Sequence, residues 1–200
     1  MTTPGLDDVA REIRASLQLK QAMLDDIELQ QRVLQCAQLL SEAFRGGHRL
    51  LVAGNGGSAA DAQHIASEFV GQFSGDRAGL PAIALSTDSS ILTSVGNDYG
   101  FARVFARQVE TLGSGGDVLL AISTSGNSDN VLQALHSARQ AGMRTIGFSG
   151  EGGGDMAPLC ELCVCVPSGH TPRIQEAHIL LAHTLCALVE RDLFGCEINP

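Results

Sequence analysis

The first quarter of the chain has the hydrophobic spacing of helices. Within residues 7–46, apolar residues such as Leu17 and Val33 return every three or four positions, which is the period of a helix with one apolar face. We predict two helices here, broken or bent near Asp25–Asp26. Gly46–Gly47 should end the region, because glycine is the favoured residue just beyond a helix C-terminus.

After residue 47 the pattern changes to short apolar runs separated by helix-like segments. Strands that alternate with helices form a parallel sheet covered on both faces and joined by right-handed crossovers. We therefore predict an α/β fold: a five-stranded parallel sheet flanked by helices, with an N-terminal helical extension. The predicted strands are 49–54, 80–86, 117–123, 144–149 and 162–167, and the predicted helices between and after them are 58–73, 101–112, 128–141 and 173–193.

This division predicts a helical region at 1–46 that serves oligomerisation and an α/β domain at 47–200. The two parts are expected to form a single structural unit, since 200 residues suit one domain. Ligands of such folds bind at the carboxyl ends of the strands. The candidate chemistry of this chain lies at those ends.

Composition and charge narrow the class of protein. Hydrophobic residues make up 44% of the chain and charged residues 18%, which is typical of a globular protein. The formal charge of −9, without any cluster of Lys or Arg, argues against a nucleic-acid-binding surface. The N-terminus lacks an apolar signal segment, and the most apolar helical stretch is too short to span a bilayer. We expect a soluble cytoplasmic protein that binds neither nucleic acid nor membrane.

The six cysteines are predicted to be free thiols, because nothing in the sequence indicates secretion. Cys160, Cys163 and Cys165 form a C-x-x-C-x-C pattern that is also compatible with a metal site. A structural zinc site needs further ligands, however, and the other cysteines are scattered singly. We interpret the three as thiols of a buried strand.

A glycine-rich turn follows the first predicted strand. Gly54-Asn55-Gly56-Gly57-Ser58 leads into a helix predicted to start near Ala59, whose free amide groups and positive dipole end suit an anion. The turn lacks the third glycine of the dinucleotide fingerprint and the lysine of a P-loop. An ordinary strand-to-helix turn remains the alternative.

A second loop, Ser123-Thr124-Ser125-Gly126-Asn127-Ser128, lies between a predicted strand and a helix. Its hydroxyl groups and the backbone around Gly126 could hold a phosphate without any cationic side chain. The alternative is that Ser128 or Asn127 only caps the following helix. One cap does not require four hydroxyl groups, so we favour an anion site.

Polar residues on two helices complete the candidate chemistry. His64 and Glu68 lie about 40° apart around their helix and share a face with Asp61. An exposed pair on a solvated surface is the alternative. On the last helix, Gln175 lies about 80° from His183 and Glu176 about 20° from it. Helical geometry alone does not choose between Gln175 and Glu176.

Four segments together resemble a known family. GNGGSAADAQHIASEF, TSVGNDYGF, GDVLLAISTSGNS and RIQEAHILLAH resemble, in order and spacing, the sedoheptulose-7-phosphate isomerase (phosphoheptose isomerase) family of the sugar-isomerase (SIS) domain superfamily. The resemblance covers about residues 10–194. It implies a flavodoxin-like three-layer fold, a homotetramer with active sites built from more than one subunit, and conversion of sedoheptulose 7-phosphate to D-glycero-D-manno-heptose 7-phosphate through an enediol. That reaction is the first step of bacterial ADP- or GDP-heptose synthesis, which also supplies lipopolysaccharide.

The resemblance also implies a role for each matching residue. Glu68 would be the catalytic base, and His183 the acid or proton shuttle. A zinc ion, one in each subunit, would be bound by His64, Glu68, Gln175 and His183. The phosphate would be held by Ser58, Ser123, Thr124, Ser125 and Ser128, and the rest of the substrate contacted by Asn55, Gly56, Gly57, Glu68, Asn97, Asp98 and Gln175.

Two competing functions arise within the same superfamily. A non-enzymatic tetramer that binds the replication initiator protein has similar loops, but its pattern lacks the residues that match Glu68 and His183, and both are present here. The sugar-binding domain of a transcription regulator or of an amino-sugar enzyme is the other. It is disfavoured because the chain has no DNA-binding or amidotransferase segment.

Overall fold

The structure is a computed structural model and describes residues 3–196. Its helical N-terminal region precedes an alternation of strands and helices, as the hydrophobic pattern predicts. Two 3-10 helices, Phe101–Arg103 and Gly154–Leu159, lie between the larger elements. The larger elements, in chain order, are α1 (Leu6–Asp25), α2 (Ile27–Arg45), β1 (Leu50–Gly54), α3 (Gly57–Val70), β2 (Ala82–Ala84), α4 (Ser89–Tyr99), α5 (Ala106–Leu112), β3 (Val118–Ser123), α6 (Asp129–Gln140), β4 (Arg144–Ser149), β5 (Leu162–Cys165) and α7 (Thr171–Phe194).

The strands form one parallel sheet in the order β2-β1-β3-β4-β5. The chain adds β2 on one side of β1 and then returns to add β3 on the other side. The strand order therefore reverses between β1 and β3, which is where open α/β sheets bind their ligands. Gly54 pairs with Ile122, so the loops after β1 and β3 begin side by side.

Alternate strand residues build two separate cores. Leu50 and Val52 of β1 pack on the side of α2, α3 and α7, whereas Leu51 and Ala53 pack on the side of α4, α5 and α6. Every residue of β1 and β3 is buried, as expected of strands covered on both faces. The predicted three-layer α/β fold is confirmed.

The two N-terminal helices differ in how far their apolar side chains are buried. The predicted break is confirmed: Asp26 caps α2 by accepting a hydrogen bond from the amide of Leu29 at 2.9 Å. α2 contributes Cys36 and Leu40 to the core, whereas α1 leaves most of its apolar side chains exposed. An oligomerisation role for 1–46 stays a prediction.

Some predicted boundaries were wrong. A helix, α4, was not predicted, because its serines, threonine and glycine have low helix propensity. The predicted helix 101–112 is a 3-10 turn followed by the separate helix α5. β2 keeps only three residues of the predicted run 80–86, since it is an edge strand preceded by Pro81. Among residues 3–196, no helix is both long and apolar enough to cross a membrane.

Candidate active site

The glycine-rich turn after β1 leads directly into α3. Gly56 has φ of +55°, a conformation that favours glycine, and α3 begins at the next residue, Gly57. A side chain at Gly54 would press against Ser58, so glycine lets the first turn of α3 pack on the strand. Ser58 itself is buried. The turn therefore brings the amide-rich end of α3 to the carboxyl edge of the sheet.

The hydroxyl groups of the second loop converge. Ser123, the last residue of β3, places its Oγ 3.0 Å from the Oγ of Ser128 and 3.5 Å from the Oγ of Ser125. Ser128 occupies the N-cap position of α6, yet its side chain makes no capping hydrogen bond. Helix capping therefore does not account for Ser128. The loop presents hydroxyl groups and the positive end of α6 to the same space, an arrangement suited to an anion.

The backbone of the second loop is held in place by the segment after β4. Gly126 has φ of +68°, and a Cβ there would collide with the carbonyl group of Gly153. Asn127 Oδ1 accepts a hydrogen bond from the amide of Asp155 at 2.9 Å. These contacts fix the loop before any ligand binds.

Two asparagines join the two loops. The carboxamides of Asn55 and Asn130 exchange a pair of hydrogen bonds, each 2.8 Å long. Asn130 lies in the first turn of α6 and is buried, and sequence analysis did not single it out. The exchange uses one N–H of Asn55 and leaves the other for a ligand.

His64 and Glu68 of α3 meet His183 of α7. The two Nε2 atoms of His64 and His183 are 2.8 Å apart, and His64 Nε2 is 3.4 Å from Glu68 Oε1. One potential ligand atom from each residue lies within 4.8 Å of the others. An exposed surface pair does not describe this arrangement, since a third residue from another helix joins it. Two imidazole nitrogens and a carboxylate oxygen are donors that suit a divalent metal ion.

The side chains of Gln175 and Glu176 make different contacts. The carboxamide of Gln175 lies against Gly57, so closely that a side chain at Gly57 would collide with it. Glu176 instead turns to Arg173, with 2.8 Å between Oε1 and Nη2. Of the two alternatives, Gln175 is the residue at the N-terminus of α3.

Asp61 lies one helical turn before His64. Burial raises the pKa of Asp61 above its usual value, and the nearby His64 opposes this only in part. Its Oδ2 is buried and has no hydrogen-bond partner among the described residues. The face of α3 that carries His64 and Glu68 thus continues inward as a partly desolvated polar strip.

Asn97 and Asp98 lie near the end of α4. Both are exposed. Across residues 3–196, the hydrogen bond recorded for their side chains runs between the two, from Asn97 Nδ2 to Asp98 Oδ1 at 2.8 Å. Their contact with the substrate stays a prediction.

Sequence analysis also missed a buried ion pair beside the histidines. Arg77 Nε lies 2.6 Å from Glu190 Oε1, and each side chain is only 1% exposed. Glu190 follows an apolar run on α7 and lies two turns after His183. A carboxylate on an otherwise apolar helix face was the available signal, because a buried charge requires a partner.

The six cysteines are free thiols, as predicted. Burial raises the pKa of Cys36 and of Cys186 to about 12, so these thiols are protonated and unreactive near neutral pH. Cys163 of β5 is buried as well. The interpretation of the three as thiols of one buried strand was wrong in part: Cys160 lies before β5, and Cys160 and Cys165 are half-buried residues packed against the core.

Similarity to known proteins first identifies the class of protein to which this chain belongs. Residues 16–150 match the SIS domain family, and the five-stranded sheet with its loop at the strand reversal defines this chain as an SIS-domain protein.

The nearly full-length similarity is more specific. A phosphoheptose isomerase from Aneurinibacillus thermoaerophilus is 50% identical over 188 residues, which cover 94% of this chain and 95% of the relative. One from Burkholderia pseudomallei strain K96243 is 50% identical over 195 residues, covering 98% and 99%. The solved phosphoheptose isomerase from Neisseria gonorrhoeae superposes with a TM-score of 0.87 at 42% identity, covering 92% of this chain and 98% of its own. The chain belongs to the phosphoheptose isomerase family, as its motifs predict.

Proposed function

We propose that this protein is an aldose–ketose isomerase that converts sedoheptulose 7-phosphate to D-glycero-D-manno-heptose 7-phosphate. The observation that carries the proposal is the meeting of His64, Glu68 and His183 on helices that start at, or pass, the anion loops. Membership of a family of phosphoheptose isomerases supports the substrate. It also disfavours the non-enzymatic alternative that binds the replication initiator protein.

The phosphate end of the substrate would bind at the strand reversal. Hydroxyl groups of Ser123, Ser125 and Ser128 converge there, and α3 and α6 both direct their N-termini to it. Ser58 and Thr124 belong to the same two loops. A doubly charged phosphate held by neutral donors and helix dipoles needs no lysine or arginine.

The chemistry needs one base and one acid. In the ketose, C2 carries the carbonyl; Glu68 would take a proton from C1 while O2 gains one, which gives the enediol. A proton then leaves O1 and another is delivered to C2, which gives the aldehyde at C1. His183 would serve the oxygens in both steps. Atoms and electrons balance within the sugar, so no redox cofactor is consumed.

We also propose that His64, Glu68 and His183 bind one zinc ion in each subunit, with Gln175 as a further ligand. The donor set and the 4.8 Å limit on ligand-atom separations support this. When bound, zinc would polarise the substrate oxygens as a Lewis acid. Glu68 would then divide its carboxylate between metal and substrate.

Assembly would complete the site. We propose a homotetramer whose subunits share active sites, in which Asn97 and Asp98 reach the sugar of a neighbouring subunit. Their exposure in the single chain supports this. Six free thiols support a reducing compartment, and we propose the cytoplasm.

One assay tests the function. The purified tetramer, supplied with zinc, is incubated with sedoheptulose 7-phosphate in deuterated water, and the products are followed by proton NMR. We expect an aldose 7-phosphate that carries deuterium at C2, since the enediol exchanges its proton with solvent. Protein that is folded and zinc-loaded but yields no aldose would refute the proposal. The same preparation would then be tested for binding to the replication initiator protein.

A further inference from the structure

The Arg77–Glu190 pair is an interior contact between α7, which bears His183, and the segment that follows α3, which bears His64 and Glu68. Glu190 lies on α7 and accepts hydrogen bonds from the amides of Phe73 and Ser74, at 2.7 and 2.9 Å, besides that from Arg77. Burial alone would raise the pKa of Glu190, and these three donors outweigh it and lower the pKa below its usual value. The carboxylate of Glu190 is therefore ionised at neutral pH and accepts hydrogen bonds from all three donors.

Arg77 uses the remainder of its guanidinium to hold the end of α3. Nη2 donates to the carbonyl oxygen of Glu68 itself at 2.8 Å, and Nη1 donates to those of Phe69, Gly71 and Ala78 at 2.8, 3.1 and 3.0 Å. The last carbonyl groups of a helix have no partners within the helix. Arg77 supplies these partners at the residue whose side chain faces His64 and His183.

The same segment reaches His183 directly. Phe73, whose amide is bound by Glu190, places its ring 5.4 Å from the imidazole of His183, measured between centroids. His183 and Glu190 are seven residues apart on α7 and so lie on nearly the same face. One buried ion pair thus touches the backbone of Glu68 and the residue packed on His183.

We propose that Arg77 and Glu190 are positioning residues that set the spacing of Glu68 and His183, and through it the metal affinity and turnover of the site. Neither is a catalytic residue. The inference rests on the proposed function for its kinetic consequences, but not for its structural ones. Groups that orient ligands or catalytic residues from behind typically contribute about 10- to 100-fold in metal affinity or activity.

The chain offers conservative variants and a matched control. Arg77→Lys keeps the charge, but a single ammonium group cannot replace the planar fork that bonds the carboxylate and the carbonyls together. Glu190→Gln keeps the shape and removes the charge. Asp117→Asn is the control. Asp117 is also a buried acid that accepts two backbone hydrogen bonds, from Arg49 and Ser114. It directly precedes β3 and so lies at the amino ends of the strands, whereas the anion loops lie at the carboxyl ends.

The first measurement needs neither substrate nor metal. Imidazole 15N chemical shifts of His64 and His183, assigned with single His→Gln variants, should move in Arg77→Lys and Glu190→Gln and stay in Asp117→Asn. Zinc affinity of the metal-free protein, measured by competition with a chromophoric chelator, should fall about 10- to 100-fold in the same two variants. kcat should fall similarly with little change in KM, because the phosphate loops are not touched.

Each result decides between a positioning and a merely structural role. Folded Arg77→Lys and Glu190→Gln proteins with parental shifts and zinc affinity would overturn the proposal, and so would an equal loss in Asp117→Asn. If neither Arg77→Lys nor Glu190→Gln folds, Phe73→Leu decides, since it keeps the ion pair and removes only the ring through which Glu190 and its bound segment contact His183: unchanged zinc affinity and kcat would again overturn the proposal. If the parent protein makes no aldose, the proposed function is refuted. The imidazole shifts still test whether Arg77 and Glu190 position His64 and His183.

Discussion

Glu68 is the residue whose replacement separates chemistry from binding. Glu68→Gln keeps size and shape but removes the basic carboxylate, so we expect kcat to fall about 10²–10⁴-fold. Affinity for inorganic phosphate should persist, because the serine loop is unchanged. Initial rates of aldose formation and phosphate calorimetry measure the two effects.

Glu176→Gln is the matched control, since Glu176 bonds to Arg173 instead of the histidines. It should retain most of the parental kcat. His183→Gln should lose activity as Glu68→Gln does. A folded Glu68→Gln protein with the parental kcat would remove Glu68 from the mechanism.

His178 gives the fold a pH dependence of its own. Burial lowers its pKa to about 4, although a hydrogen bond to the carbonyl of Ser149 opposes this. The unfolded chain binds a proton near pH 6.5 and the folded chain does not, so stability is lost as pH falls from about 6.5 to about 4. Integrated over that window, the loss is about 3 kcal/mol.

Urea titrations of the parent and of His178→Gln between pH 4 and 8 isolate this effect. The free energy of unfolding of the variant should fall less steeply on the acid side. Parallel pH profiles of the two proteins would show that His178 does not titrate as its burial implies.

Single residues also show where sequence patterns stop being informative. Helical angles put both Gln175 and Glu176 within reach of His183, and only the neighbours decide: Gly57 leaves room for Gln175, and Arg173 binds Glu176. Asn130 and Arg77 were missed for the same reason. Their partners, Asn55 and Glu190, are 75 and 113 residues away in the chain, so no local pattern links them.

At the scale of elements, the loop between β3 and α6 predicts a specific loss of phosphate affinity. Ser128→Ala removes a hydroxyl group that faces Ser123 and does not cap α6, so the helix should remain. A lost hydrogen bond to a charged group weakens binding by about 1.5–3 kcal/mol. Calorimetry with inorganic phosphate measures this directly.

Ser16→Ala is the control, because Ser16 is a half-buried serine of α1 outside both anion loops, and its phosphate affinity should equal that of the parent. The circular dichroism spectrum of Ser128→Ala should match that of the parent, which tests whether the helices, α6 included, remain. Unchanged phosphate affinity in that variant would mean that the loop does not bind the anion.

The elements themselves were largely predictable, because burial on both faces gives the strands continuous apolar runs. β4 matches its predicted bounds, 144–149, and β1 differs by one residue. α4 was not predicted, since tertiary packing around Val95 and the cap from Asp88 hold a sequence with low helix propensity. Asp88 is a residue type that favours the N-cap of a helix, but the hydrophobic periodicity after it is too weak to predict one.

At the scale of the molecule, the fold places chemistry where three distant segments meet. The strand reversal aligns the loops after β1 and β3, and α7 returns from the end of the chain to lay Gln175 on one loop and His183 on α3. Parallel topology could be predicted from alternation alone. The placement of α7 could not, because it depends on long-range packing against α2 and α3.

The exposed face of α1 makes the last prediction, which concerns assembly. Leu6, Val9, Ile13, Leu17 and Leu24 are all more than half exposed and follow the spacing of one helix face. Beside them lies an apolar groove of about 370 Å³ lined by Leu24, Leu34 and Leu180, among others. Contiguous exposed apolar surface of this kind marks an interface, which here we expect to join subunits of the tetramer.

Leu17→Glu should therefore dissociate the assembly. Burying a leucine contributes about 1.5–3 kcal/mol, and symmetry repeats the loss, together with the cost of an unpaired charge, in every copy. Gln18→Glu adds the same charge at the neighbouring exposed polar position and should leave the assembly intact. Sedimentation velocity at micromolar concentration distinguishes the outcomes: we expect smaller species for Leu17→Glu and the parental coefficient for Gln18→Glu. If both variants sediment as the parent does, this face of α1 is not the interface, and residues 1–46 do not serve assembly through it.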